Sequence, residues 1–394
     1  VRPGDRTVRL VLLLVHAVTV QIISYAMRPA ISYGLLEIGG GGGWIGVATA
    51  AFAVPPLILA VPAGRLADRL GERVPLVMGG LSFLAACLLA LFAGGAIWGL
   101  VLATALLGLG VLFSVVGEQT WVMRDAGRGR LDNVFGLYTF ATSSGQMLGP
   151  LLLMQPGRQD SPELAPVMIA CLCVAAACFG LSFAVRPTLE RGGSPAPAER
   201  MLPEAWRLLR RRGVPQALIA SSLTLTSLDI LLVYLPLLAQ ERMLAPAVLA
   251  VLLTVRGLAT MGSRLLLGLL TSRLGRRRVL IWATAGAALA MIACAAPVPV
   301  WALLLACAVY GFAAGAVQPL TMSWMTLVTP REIRGVGASM RLVGNRAGQT
   351  AIPLAVAGLS VVSGAAAVFI ATGASLFIAA GLSRAAPEDD AEDG

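Results

Sequence analysis

Residues 64–73 read Gly-Arg-Leu-Ala-Asp-Arg-Leu-Gly-Glu-Arg, a short charged segment between two long apolar runs. Residues 268–278, Gly-Leu-Leu-Thr-Ser-Arg-Leu-Gly-Arg-Arg-Arg, repeat it in weakened form. Gly64, Arg69 and Gly71 recur as Gly268, Arg273 and Gly275, again with apolar runs on both sides. A chain that carries the same charged turn once in each half reads as a duplicated unit. Sliding the halves by about 203 residues superimposes Trp121 on Trp324, Gln146 on Gln349 and Pro150 on Pro353, and Gly64 falls on Gly268 with a slip of one.

The material around these turns cannot fold in water. The 394 residues are 57% hydrophobic and 13% charged, with a mean hydropathy of +0.82. Apolar runs of about 18–25 residues can cross a hydrocarbon layer ~30 Å thick as helices, which satisfy their own backbone hydrogen bonds. About twelve such runs are present, at roughly 8–33, 44–63, 74–94, 97–121, 133–155, 166–185, 214–239, 246–267, 279–297, 299–327, 336–361 and 364–383. The first run is too long for the apolar core of a cleaved leader, so none is expected. Residues 186–213 form the one long polar stretch, rich in Gly, Pro and Arg, and too short for a soluble domain. Its basic part, with Trp206, Leu208 and Leu209 among the arginines, reads as an amphipathic piece against anionic headgroups.

The net charge of +10 comes from 30 basic residues, all of them Arg. Nucleic acid binding is a poor explanation, because the arginines fall where membrane topology puts them. They cluster before the first run, at 65–73, at 124–130, at 186–212, at 273–278 and at 331–334, whereas the opposite loops hold Arg158 and Arg242. The positive-inside rule then places both termini in the cytoplasm. Five more, Arg28, Arg256, Arg264, Arg341 and Arg346, lie within apolar runs, where charge is costly and marks function. Arg264 lies close enough to the end of its run to snorkel.

Segment 64–73 resembles the loop joining the second and third helices of major facilitator superfamily transporters, and 268–278 resembles its counterpart in their second half. The resemblance implies an all-α membrane protein, with 12 transmembrane helices in two pseudo-symmetric six-helix bundles around a central cavity. The expected divisions are an N-terminal bundle at 1–185, a cytoplasmic linker at 186–213, a C-terminal bundle at 214–383 and an acidic tail at 384–394. It also implies a cytoplasmic gate built on Gly64, Asp68, Arg69, Gly71 and Arg73, with Gly268, Arg273 and Gly275 in the second copy. Gly64 and Gly71 are expected to permit close backbone approach, and Asp68 to face the positive end of a helix. Glu72 departs from the family, which more often has a basic residue there.

Ser143–Pro150 resembles the fifth-helix signature of antiporters in that superfamily: Gly145, Gly149 and Pro150 fit, whereas Leu153 and Met154 replace two further glycines. Proton-coupled exporters commonly carry an Arg in the fourth helix, and here Ala103-Thr104-Ala105 stands instead. The implied function is secondary transport of a small organic solute by alternating access, with proton antiport and efflux as first reading and proton-coupled uptake of an organic anion as the alternative. A non-transporting sensor or a lipid scramblase shares the same fold signals.

Depth along the runs, at 1.5 Å per residue, puts Asp229, Arg256 and Arg346 near the middle of the membrane. Buried charges there must pair or face water, so Asp229 is expected to pair with Arg256 or Arg346. Asp229 is the best carboxylate for carrying a proton, unless the pair is a permanent structural bridge. A surplus cation would favour an anionic solute. Arg341, Asn345 and Gln349 recur every four residues on one helix face. In the first half Gln21, Tyr25, Arg28 and Gln146 are candidate cavity contacts. Glu118 is either a proton site or a partner of Arg69, Arg73 or Arg124.

His16 is the only histidine and reads first as a buried hydrogen-bonded residue, with a proton relay as the alternative. With one histidine and six cysteines scattered in apolar runs, no metal cage, catalytic triad or cofactor is expected, and no enzyme. The expected partners are a small organic solute, protons and membrane lipids, and no nucleic acid. The chain is expected to act as a monomer in a bacterial inner (plasma) membrane.

Overall fold

Two glycines at the ends of the repeated turns adopt the same backbone. Gly71 has φ 82° and Gly275 has φ 82°, a region that residues with a Cβ avoid. Each lets one long helix stop and the next begin almost at once: α2 (Gly41–Leu70) gives way to α3 (Arg73–Ala93), and α9 (Pro246–Leu274) to α10 (Arg276–Ala295).

The computed structural model describes residues 3–125, 131–155, 162–185, 198–211, 213–329 and 334–386, and every regular element among them is helical. The other helices are α1 (Pro3–Glu37), α4 (Ile97–Asp125), α5 (Leu131–Leu148), α6 (Leu164–Ala184), α7 (Ala198–Leu209), α8 (Val214–Glu241), α11 (Val300–Val328) and α12 (Arg334–Leu382). Ten of the described helices are long and apolar enough to cross a membrane. The expected twelve arise from these and two irregularities. α5 is more polar and runs on through a 3-10 turn, Gly149–Leu153, where Pro150 withholds a donor. α12 is broken at Gly364, with φ 70° and ψ −169°, into arms 334–363 and 365–382.

The chain divides into two units, Val1–Gly193 with Leu235–Thr254, and Ser194–Tyr234 with Val255–Gly394. In the first unit α4 packs on α2 and α3, and α1 packs on α5 and α6. Gly145 and Gly149 seat α5 against α1: a Cβ at Gly145 would lie 2.5 Å from the Val18 carbonyl oxygen, and one at Gly149 2.8 Å from that of Ile22. Small residues at a lipid-embedded crossing are what the sequence leads one to expect there.

In the second unit α10 packs on α11 and α12. Leu208 of α7 is buried in an apolar cluster with Val214, Leu280, Val317 and Trp324, so this helix of the polar stretch docks on protein through Leu208 and exposes Trp206. The linker residues 186–197, and the acidic tail from Pro387, lie outside the described residues.

The repeat extends to individual crossings. A Cβ on Gly108 would lie 2.1 Å from the Phe52 carbonyl oxygen, and one on Gly311 would lie 2.2 Å from that of Arg256. The α2–α4 crossing therefore recurs between α9 and α11, with Arg256 at the place of Phe52. Trp121 and Trp324 are both buried, and neither indole N–H finds a hydrogen-bond partner among the described residues.

Two expectations for the first turn are corrected. Asp68 lies in the last turn of α2 rather than at a helix start, and it pairs with Arg124 at 3.5 Å. Neither Gly64 nor Gly71 makes a close approach, and nor does Gly268: a Cβ on any of the three would meet nothing within 4 Å. At Gly64 and Gly268 the helices continue with the small face in open space. What anchors the turn is Glu72, fully buried and bound by Arg124 Nη1 at 2.9 Å. The acid at the family's basic position is thus part of the turn's internal structure.

Candidate functional site: buried polar networks in each unit

In the second unit the polar face of α12 meets α8 and α11. Gln349 sits between the expected ion-pair partners: its amide Nε2 donates to Asp229 Oδ2, and its Oε1 accepts from Arg346 Nη1 at 3.0 Å. Asp229 is 5% exposed and Gln349 4%, whereas Arg346 is half-buried. An amide suits this place because it donates at one end and accepts at the other. Arg341 donates to Gln318 Oε1 at 2.9 Å and to the Gln318 carbonyl at 3.3 Å, and Gln318 Nε2 reaches the Ser221 carbonyl.

The fourfold spacing therefore does put Arg341, Asn345 and Gln349 on a protein-facing stripe. Thr226 Oγ1 and Asn345 Oδ1, on the same pair of helices, are buried and find no hydrogen-bond partner among the described residues. Such groups are costly unless a polar molecule completes them. Arg256 is fully buried on α9; its carbonyl receives Thr260 Oγ1 at 3.0 Å.

In the first unit Gln146 Nε2 donates to Gln21 Oε1 at 3.4 Å, which joins α5 to α1. Arg28, 4% exposed, lies over the Phe52 ring with its Cζ 4.4 Å from the centroid. That contact offsets part of the cost of a buried cation. Tyr25 is 7% exposed on the same helix.

Glu118 departs from one of its two expected roles, that of partner to an arginine. Arg124 is committed to Glu72 and Asp68, and Glu118 instead faces His16. Glu118 Oε1 lies 2.7 Å from His16 Nδ1, and Oε2 accepts from the Tyr138 hydroxyl at 2.9 Å. Both His16 and Glu118 side chains are fully buried. His16 Nε2 is 3.1 Å from Ser182 Oγ and 3.4 Å from Cys178 Sγ.

Ser182 is placed to donate to the Leu76 carbonyl at 3.1 Å or the Cys178 carbonyl at 3.0 Å. Its single hydrogen is engaged there, so it serves the imidazole as acceptor and Nε2 carries the hydrogen. One proton is then left for the Nδ1–Oε1 contact. Tyr138 and Ser182 were not candidates from the sequence, because nothing in the spacing of four separate helices ties them to His16.

The sequence matches the Major Facilitator Superfamily over residues 11–245 and 217–393. The chain belongs to the Major Facilitator Superfamily. A curated relative, "Inner membrane transport protein YajR" of Escherichia coli (strain K12), is 28% identical over 159 residues, which is 39% of this chain and 34% of that protein. The chain thus spans about a third of the length of that relative.

Among solved structures, a point mutant of the nucleoside transporter NupG is similar with a TM-score of 0.79 at 14% identity, covering 95% of this chain and 98% of that one. A D-xylose-proton symporter follows with a TM-score of 0.76 at 15% identity, covering 96% and 97%. The inward open xylose transporter XylE from E. coli has a TM-score of 0.73 at 14% identity, covering 98% of each chain. These likenesses show the superfamily's fold, in accord with the resemblance carried by residues 64–73 and 268–278.

Proposed function

We propose that this superfamily member is a secondary transporter that moves a small organic solute across a bacterial inner membrane by alternating access, exporting it in exchange for protons. The observation that carries this reading is the Asp229–Gln349–Arg346 chain, flanked by the buried polar atoms of Thr226 and Asn345. A proton arriving on Asp229 weakens its charge-assisted bond from the Gln349 amide. Gln349 then turns from Asp229 and the arrangement of Gln349 and Arg346 that holds the solute is lost, so proton binding expels the solute and proton loss restores the site. The α2–α3 turn, held by Arg124 to Asp68 and Glu72, serves as the cytoplasmic gate, with residues 268–278 as its second copy.

The test is solute flux in proteoliposomes under an imposed pH gradient, with a panel of labelled cationic, neutral and anionic organic solutes. Saturable, gradient-driven flux should be abolished in Asp229→Asn and reduced in Arg346→Ala. Undiminished coupled flux in Asp229→Asn would sink the assignment. Proton-coupled uptake of an organic anion is the second reading, favoured by the fully buried Arg256. In that case Arg256→Ala or Arg346→Ala weakens anions far more than neutral solutes. Lipid flipping without solute flux would point to a scramblase.

A further inference from the structure

The His16–Glu118 pair has no counterpart in the repeat. At the offset of about 203 residues that superimposes the halves, Ile219 and Thr321 stand in place of His16 and Glu118. Thr321 is buried and donates to the Gln318 carbonyl of its own helix at 3.0 Å. The fold thus fills these two places without charge, and replacing a buried ion pair by uncharged residues is often neutral or stabilising. Packing alone does not account for the pair.

Hydrogen bonds connect it to the α2–α3 turn. His16 Nε2 donates to Ser182 Oγ at 3.1 Å, and Ser182 Oγ donates in turn to the carbonyl of Leu76, in the first turn of α3, at 3.1 Å. The Leu76 N–H bonds to the Glu72 carbonyl, and the Glu72 carboxylate holds Arg124. Gly117, next to Glu118, packs so closely on this turn that a Cβ there would lie 2.9 Å from the Glu72 carbonyl oxygen. From α5 the pair faces Tyr138, and from α6 it faces Cys178 and Ser182. The charges of the turn are engaged with one another, Arg124 joining Asp68 to Glu72.

We propose that His16 and Glu118 form a proton-binding site that sets how firmly the first unit holds this turn. The proposal rests on the transport reading, in which the turn is the cytoplasmic gate. Packed, the pair carries one shared proton and no net charge. A hydrated imidazole gives up its proton above about pH 6.5, where a hydrated carboxylate is already ionised. Opening the packing therefore releases one proton to the cytoplasmic water, and repacking takes one up. Above about pH 6.5 the opening equilibrium then rises about tenfold per pH unit. Without the shared proton the ring keeps its hydrogen on Nδ1, facing the carboxylate. Nε2 becomes an acceptor and draws the Ser182 hydrogen away from the Leu76 carbonyl, which frees the start of α3.

Hydrogen–deuterium exchange of the full chain in detergent, read by mass spectrometry and corrected for the intrinsic pH dependence of amide exchange, tests it. Between about pD 6.5 and 8.5, protection of amides 76–83 in the wild type should fall about tenfold per pH unit. Amides 279–286 of α10, in the unit that lacks the pair, should show no such fall. Glu118→Gln has no proton to share and keeps the imidazole hydrogen on Nε2, so protection at 76–83 should be high and flat. Ser182→Ala keeps the pair but cuts its link to Leu76, so protection there should be low and flat. Flat protection in the wild type overturns the proposal. A fall that survives Glu118→Gln or Ser182→Ala, or one of equal size in α10, overturns it as well. No solute is present, so the outcome stands apart from the flux assay that tests transport.

Discussion

Between His16 Nδ1 and Glu118 Oε1, 2.7 Å apart, there is room for one proton. Whichever atom holds it, the pair is neutral overall, either as imidazolium with carboxylate or as imidazole with carboxylic acid. That neutrality explains how two ionisable groups with no exposed surface sit inside a membrane helix bundle. Removing one partner is costly: His16→Ala should destabilise the protein by about 3–5 kcal/mol, read as a lower Tm in detergent. Glu118→Gln keeps an acceptor for Tyr138 and a donor for His16, and should cost much less. Equal losses for the two variants would contradict the shared-proton arrangement. The sequence placed each of these residues in an apolar run. It could not pair them, because helical periodicity says which face a residue occupies and not which helix lies opposite.

At the scale of elements, the glycines separate into those that fit a crossing and those that only interrupt a helix. Gly108→Ala and Gly311→Ala would drive a methyl group into the Phe52 and Arg256 carbonyls, and each should cost about 1–3 kcal/mol by overpacking. Gly64→Ala and Gly268→Ala meet open space on helices and should leave stability unchanged or raise it by up to about 1 kcal/mol. Gly71→Ala and Gly275→Ala force a Cβ onto φ 82°, at a cost of about 1–3 kcal/mol. Thermal unfolding of the six single variants in one detergent checks the ranking. The sequence drew attention to Gly64 and Gly268 because the repeat preserves them. Their environment was not readable, since the same residue type serves a crossing, a turn or neither. Likewise Asp68 could be placed beside a helix end from its spacing, but its partner Arg124 arrives from α4, more than fifty residues away.

For the whole molecule, the arginine distribution predicts topology. A fluorescent protein fused after Gly394 should be bright, and alkaline phosphatase fused there inactive; the reverse pattern would overturn the cytoplasmic placement of the C-terminus. Composition and run lengths were sufficient for the helical membrane class and the repeated turns for the duplication, whereas the superfamily was reached through the resemblance of those turns to its loop. These features follow from local physics: a backbone in lipid must bond to itself, and apolar length sets the crossing. The break at Gly364, the docking of α7 through Leu208 and the partners of Glu118, Asp229 and Arg124 were decided only by tertiary structure. Each depends on which helices become neighbours, and a buried charge takes its character from the group across the crossing rather than from its own place in the chain.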